Sequence, residues 1–320
     1  NQIRARFQDP LAGRLLRGLG WSAAGSAIAR VVGLAGSIFI ARALGRDNFG
    51  RYSIIQASVL AAAGLAGVSF GVTASRFMAM HLRKDPRTAL AYLNANWMLA
   101  VAAGGALATV LYVAAEWIGE TVLRQPSVAG NLKMASFAVM PLAIAGVQQG
   151  ALVACEAFRR IAFLQFVTGL LQTVLCCAGA DLFGVSGAVG AWVVAQYATA
   201  AVQFGAVKSV TRSRGLVEAA HLSVGQRSAL VRFYVPRCLG SLLNAPFNWV
   251  CQGIVIRQSD GLAAIAVFSA AQKWREAVLF AATNAMPVTG VVMAEQIHAK
   301  NARDTSRALR MTAIALLTSA

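Results

Sequence analysis

The stretch GLGWSAAGSAIARVVGLAGSIFIARALGRDNFGRYSIIQASVLAAAGLAGVSFGVTAS, residues 18–75, decides the fold. Two long runs of apolar and small residues, 18–41 and 52–75, flank a short polar segment, RALGRDNFGR. A bilayer's hydrocarbon core takes about 20 residues of α-helix, so each run is long enough to cross it and the segment between suffices only for a turn. The pattern recurs at 89–115, 134–155, 161–180, 184–207, 233–256 and 262–290, which makes eight predicted spans. A further apolar run starts near Met311 and reaches Ala320 before it is long enough to cross, so a longer parent protein is expected.

Composition agrees. The 320 residues are 58% hydrophobic and 13% charged, with a mean hydropathy of +0.60, outside the range of soluble domains. A formal charge of +17 would suggest nucleic acid in a soluble protein, but here position decides. With the N-terminus in the cytoplasm, most of the 29 Lys and Arg fall on the inner side. The outer turns hold Arg42, Arg46, Arg51, Arg124, Lys133 and Arg257. This is the positive-inside pattern, so membrane lipids and not nucleic acid are the expected surroundings. The first run is too long for a signal peptide and carries Arg30, so it reads as a permanent helix.

Chemistry-bearing motifs are sparse. Cys155, Cys176, Cys177, Cys238 and Cys251 lie in or at the ends of apolar runs, where cysteine behaves as a small hydrophobe. His81, His221 and His298 stand singly, so no metal site and no cofactor are expected. GxxxxGK[ST] does not occur, and the GxSxG string at 67–71 lies inside the apolar run 52–75 and not at a strand-to-helix turn, so no enzyme activity is predicted.

Three segments are expected. Residues 1–207 form a first lobe of six helices, 208–232 a basic cytoplasmic linker with amphipathic spacing, and 233–320 the beginning of a second lobe. Gly25, Ala29 and Gly33 recur at intervals of four, a spacing read here as close helix packing.

An ionisable group in a membrane span costs about 2.5–3.5 kcal/mol on insertion scales, so each one is a candidate for function. Arg30 shares a helix face with Ser26, Gly33 and Ser37, which points it at a polar cavity or at an acid such as Glu276. On the seventh span Arg237, Ser241, Asn244, Asn248 and Gln252 form one stripe beside Pro236 and Pro246. Such a stripe either lines a cavity or bonds helices together. The eighth span carries Ser269, Gln272, Lys273 and Glu276 with Arg275 alongside, a cluster that lies in the membrane or, with a shifted boundary, at its surface. Gln165, Thr168 and Gln172 on the fifth span and Gln148 and Gln149 on the fourth are weaker signals. Glu276 and Glu156 are the candidate acids for a coupling proton or cation.

The first quarter resembles the Wzx-type polysaccharide flippases of the MOP superfamily, which also contains the MATE exporters. Ala41, Arg42, Leu44, Gly45, Phe49, Gly50 and Tyr52 match the family's ARxLGxxxFGxY turn. Gly71, Val72, Ala74, Arg76 and Ala79 match the close of its second helix. Locally, Gly45 and Gly50 are expected to allow a tight turn, and Phe49 and Tyr52 to anchor at the membrane surface away from any substrate.

The resemblance implies an all-α, polytopic, MATE/MOP-like two-lobe bundle, here with its second lobe cut short, in a bacterial inner membrane. It also implies alternating access carrying a polyprenyl-pyrophosphate-linked oligosaccharide outward, with possible proton or sodium coupling and a polymerase or export machinery as partner. The substrate site is expected at Arg30, Arg237, Asn244, Asn248, Lys273 and Arg275, assigned by position in the membrane. The alternatives are a MATE-like exporter of organic cations, which those cations would repel, a membrane-embedded polymerase or ligase, which needs a longer outer loop than 116–133, and a scaffold for other polysaccharide-assembly proteins.

Overall fold

The computed structural model describes residues 31–82, 84–215, 220, 222–258 and 260–278. Among them every regular element is a helix. The physical reason is that lipid offers no hydrogen bonds, so an apolar run must satisfy its own backbone. The helices are α1 (Val31–Leu44), α2 (Arg46–His81) and α3 (Pro86–Trp117), which a π-helical turn, Ile118–Val122, prolongs. They continue with α4 (Pro126–Ser136), α5 (Val139–Ala154), α6 (Phe158–Ser213), α7 (Val224–Val255) and α8 (Gly261–Val278).

By length and apolarity α2, α3 with its π turn, and α6 are each able to cross a membrane, and α4 with α5 passes as a pair bent by 45°. The bend has a local cause. Pro141, in the first turn of α5, has no N–H to return to the carbonyl of Phe137, and the helix breaks at 137–138. Residues 116–133, expected to be a loop, are thus mostly helical, and Lys133 Nζ reaches Glu116 Oε1 at 2.6 Å across them.

Helix α6 is two helices. Gly184 interrupts it at φ +60°, a left-handed conformation that glycine adopts without strain. The halves fold back on each other: Arg160 Nη1 donates to Ser209 Oγ at 3.1 Å, and Gln196 Nε2 donates to Gln172 Oε1 at 3.0 Å. At the tip a Cβ on Gly187 would stand 2.1 Å from the Gly179 carbonyl oxygen, so only glycine lets the two backbones come this close. These halves are the predicted spans 161–180 and 184–207. In the stretch expected to be a linker, α6 runs on to Ser213 and α7 starts at Val224 behind a Ser223–Gln226 capping box, so both flanks are helical. Residues 216–219 and 221 lie outside the described residues.

Helix α2 is the axis of the bundle, in contact with α3, α5, α7 and α8. Its tightest contact is with the Gly146-x-x-x-Gly150 face of α5. A Cβ on Gly150 would lie 2.1 Å from the Gly71 oxygen, and one on Gly71 would lie 2.7 Å from the Gly146 oxygen. The turn into α2 is made by Gly45 at φ +76°. Gly50 does a different job from the expected one: it lies within the helix, and its missing Cβ admits the carbonyl of Leu262 from α8.

Two apolar cores follow from this packing. One, around Ile54, Ile55, Leu132, Trp192 and Ile265, lies toward the Gly45 end of α2. The other, around Phe70, Met78, Val147, Leu152 and Leu164, lies toward its His81 end. Outside them Met98, Val113, Phe163 and Phe183 are exposed. An apolar outer surface of this kind suits lipid and not water.

Candidate substrate cavity

Helices α1, α2, α6, α7 and α8 surround a cavity of about 460 Å³ in the Gly45 half of the bundle, the size of an ordinary small-molecule site. Three of the predicted site residues, Asn248, Lys273 and Arg275, line this one space, together with Gln252, Ser269 and Gln272 of the same two stripes. From α1 come Gly33 and Ser37, members of the face assigned to Arg30. Arg30 itself lies outside the described residues, as do the side chains of Arg237, Asn244 and Glu276 on α7 and α8. Glu156 occupies the turn between α5 and α6, at φ +50°, and is not part of the lining.

Gly33 corrects an expectation. Among the described residues nothing stands within 4 Å of where its Cβ would be, so it borders open space there and does not pack a described neighbour. The close contact on α1 is Gly36, whose Cβ would meet the Thr173 side chain at 2.6 Å. Phe49 and Tyr52 are also corrected: both are buried in protein and line the cavity, so their rings are not presented outward as membrane anchors. The turn at Gly45 brings α2 back across the α6 hairpin, which covers these rings.

The wall is a set of bonded polar groups. Gln56 Nε2 donates to the Tyr52 hydroxyl at 2.8 Å, and that hydroxyl donates to Cys176 Sγ at 3.8 Å. Trp249 Nε1 donates to Ser58 Oγ at 2.7 Å, tying α7 to α2. Arg275 Nη1 donates to Gln272 Oε1 at 3.0 Å while the guanidinium remains exposed. Gln252 is the exception: its amide oxygen is buried with no donor among the described residues, and an unmet buried acceptor costs about 1–3 kcal/mol. Among the described lining residues there are two cations and no carboxylate, so this part of the lining carries a net positive formal charge.

Toward His81 the same helices close on each other. Phe70 stacks on Tyr234 with ring centroids 4.4 Å apart, and Phe77 packs edge-on to Phe233 at 5.8 Å. The Arg76 guanidinium lies 4.4 Å over the Phe233 ring, a cation–π contact. Arg76 belongs to the family-like pattern that closes α2, and this contact gives it a physical role.

Gln56 and Trp249 were not singled out in the sequence. Tyr52, Gln56 and Leu60 recur at helical spacing on the cavity side of α2, and that periodicity was the available signal. Trp249 has none, because its partner is far away in the chain.

A family model described as polysaccharide biosynthesis protein matches residues 15–292. The EPS I polysaccharide export inner membrane protein EpsE of Ralstonia nicotianae is 25% identical over 249 residues, 76% of this chain and 55% of that protein. The chain thus spans about half the length of that curated relative. An outward-facing multidrug resistance MATE family transporter of the MOP superfamily superposes with a TM-score of 0.77 at 16% identity, over 95% of this chain and 68% of that one. A MOP superfamily transporter from Pyrococcus furiosus, reported with reversed binding-pocket polarity suggesting a different function, gives the same values. The fold is that of the MATE-like helix bundles, and the chain belongs to the polysaccharide biosynthesis protein family.

Proposed function

We propose that the full-length protein is a transporter, not an enzyme, that flips a polyprenyl-pyrophosphate-linked oligosaccharide across a bacterial inner membrane by alternating access. The observation that carries this reading is the single cavity in which Lys273 and Arg275 stand with amides and no described carboxylate. A pyrophosphate brings negative charge that the cations match, and sugars bring hydroxyls that amides bind. In this reading the N-terminus is cytoplasmic, residues 1–207 are the first lobe, and 233–320 begin the second. Arg30, Arg237 and Asn244 also bind the substrate, and Glu276 or Glu156 carries any coupling proton or sodium ion. Polymerase or export machinery receives the product. EpsE, named as an export protein of the inner membrane, supports the direction and the compartment.

The MATE relatives favour a second reading, export of organic cations. The charge of the described lining opposes it, since two cations repel such a substrate. The P. furiosus relative supports the view that this fold tolerates pockets of either polarity.

The test is made in cells. A strain lacking the gene is complemented with the full-length protein, and lipid-linked repeats are assayed on each face of the inner membrane. Repeats trapped on the inner face without the protein support flipping. Normal delivery to the outer face without it overturns the proposal.

A further inference from the structure

Gln252 lies in the last turn of α7, in the cavity wall, with its amide oxygen buried and without a donor among the described residues. The amide oxygens of Gln172 and Gln272 accept from Gln196 and Arg275, and Gln56 donates its Nε2 to Tyr52. A carbonyl oxygen only accepts, so the group that completes this site must bring an O–H or an N–H. Phosphate at neutral pH offers little but acceptors and goes to the cations instead.

The two chemistries are separated in depth. At about 1.5 Å of rise per residue, Arg275 lies about 21 Å along α8 from Gly261, whereas Gln252 lies only about 5 Å from the end of α7. Leu262 at the start of α8 stands against Gly50, and Trp249 of α7 bonds to Ser58, so Gln252, one turn beyond Trp249, lies nearer the Gly45 end of α2 than Lys273 and Arg275, which are about three to four turns along α8 from Leu262. Trp249, a half-buried ring of the kind that stacks on sugars, lines the same wall. An ammonium is also a donor, but it would enter a space already holding Lys273 and Arg275.

We propose that Gln252 is a specificity-determining residue: its buried amide oxygen accepts a hydrogen bond from a hydroxyl or acetamido N–H of the glycan, which lies toward the Gly45 end while the diphosphate lies toward Lys273 and Arg275. This rests on the functional reading above. It predicts that the cavity tells a glycosylated carrier from a bare one, and that one side chain carries the distinction.

The experiment measures binding of polyprenyl pyrophosphate, bare or bearing the organism's oligosaccharide repeat, to the purified full-length protein and its variants. Gln252→Met weakens the glycosylated ligand about tenfold, equivalent to about 1.4 kcal/mol, and leaves the bare ligand within about twofold. Arg275→Ala weakens both ligands. A thermal melt and the unchanged affinity for the bare carrier show that Gln252→Met is folded. A folded Gln252→Met that keeps wild-type affinity for the glycosylated carrier, or loses both ligands equally, overturns the assignment. If the wild type binds neither ligand, the functional reading falls and the assignment with it.

Discussion

Helix α2 meets α7 in opposite ways at its two ends. Near Gly45, Tyr52 and Gln56 face α7 across a polar cavity, with the Trp249–Ser58 bond as a link. Near His81, Phe70 and Phe77 press directly on Tyr234 and Phe233. One pair of helices therefore builds both the open space and its closure. A polar wall is stable when its groups are bonded to each other, and an aromatic seal is stable when water is excluded. In the proposed cycle, substrate access reverses when α7 leaves the aromatic contacts, so the seal sets which end is open.

The most disruptive way to test this arrangement is at the glycine contact behind α2. Gly150→Leu places a branched side chain where a backbone carbonyl already stands 2.1 Å from the Cβ position. The α2–α5 contact cannot form, and the variant is expected to fail to accumulate in the membrane, as a quantitative blot of membrane fractions would show. Wild-type levels would mean that the two helices are not held backbone to backbone.

A smaller effect is expected at the seal. Phe233→Ala removes the ring shared by Arg76 and Phe77, a loss of about 2 kcal/mol. In a background otherwise free of cysteine, Ser69→Cys, buried beside Phe70, should then react faster with a water-soluble maleimide. Equal labelling with and without Phe233 would show that the aromatic contacts do not close this end.

The smallest effect is expected in the turn before α3. Hydrogen bonds from the Thr88 hydroxyl and N–H hold the Asp85 carboxyl below the usual carboxylate range. Because the folded value is the lower one, this contribution is complete above the unfolded pKa of about 3.9 and is lost as pH falls through the folded value. Asp85→Asn should flatten the melting temperature between about pH 5 and 3 by a small amount, since the group is exposed. An identical acid profile would assign the acid sensitivity to other groups.

Much of this arrangement was legible in the sequence, for identifiable reasons. Runs of apolar residues report lipid directly, so the helices stand where the runs are, and a 3.6-residue period grouped Asn248 with Gln252 and Ser269 with Gln272, which the structure finds lining the cavity. Pairs of helices were not legible. Gly33 and Gly36 look alike in a list of small residues, yet one borders open space and the other takes Thr173. Phe49 and Tyr52 carry the amphipathic character of a surface anchor, and only the α6 hairpin lying over them turns them inward. Residues 126–133 hold too few apolar groups to read as part of a span, yet they are helical, opened by Pro126 and with Val128, Ala129 and Leu132 buried.

The central claim is that intramembrane cations hold an anionic headgroup in one cavity. It is tested most directly by surface polysaccharide in cells carrying the full-length protein with Arg30→Ala or Arg275→Ala, each checked for membrane accumulation. Loss of polymer from both variants, with the protein present at normal levels, is the predicted result. Normal polymer from both would contradict the cationic cavity.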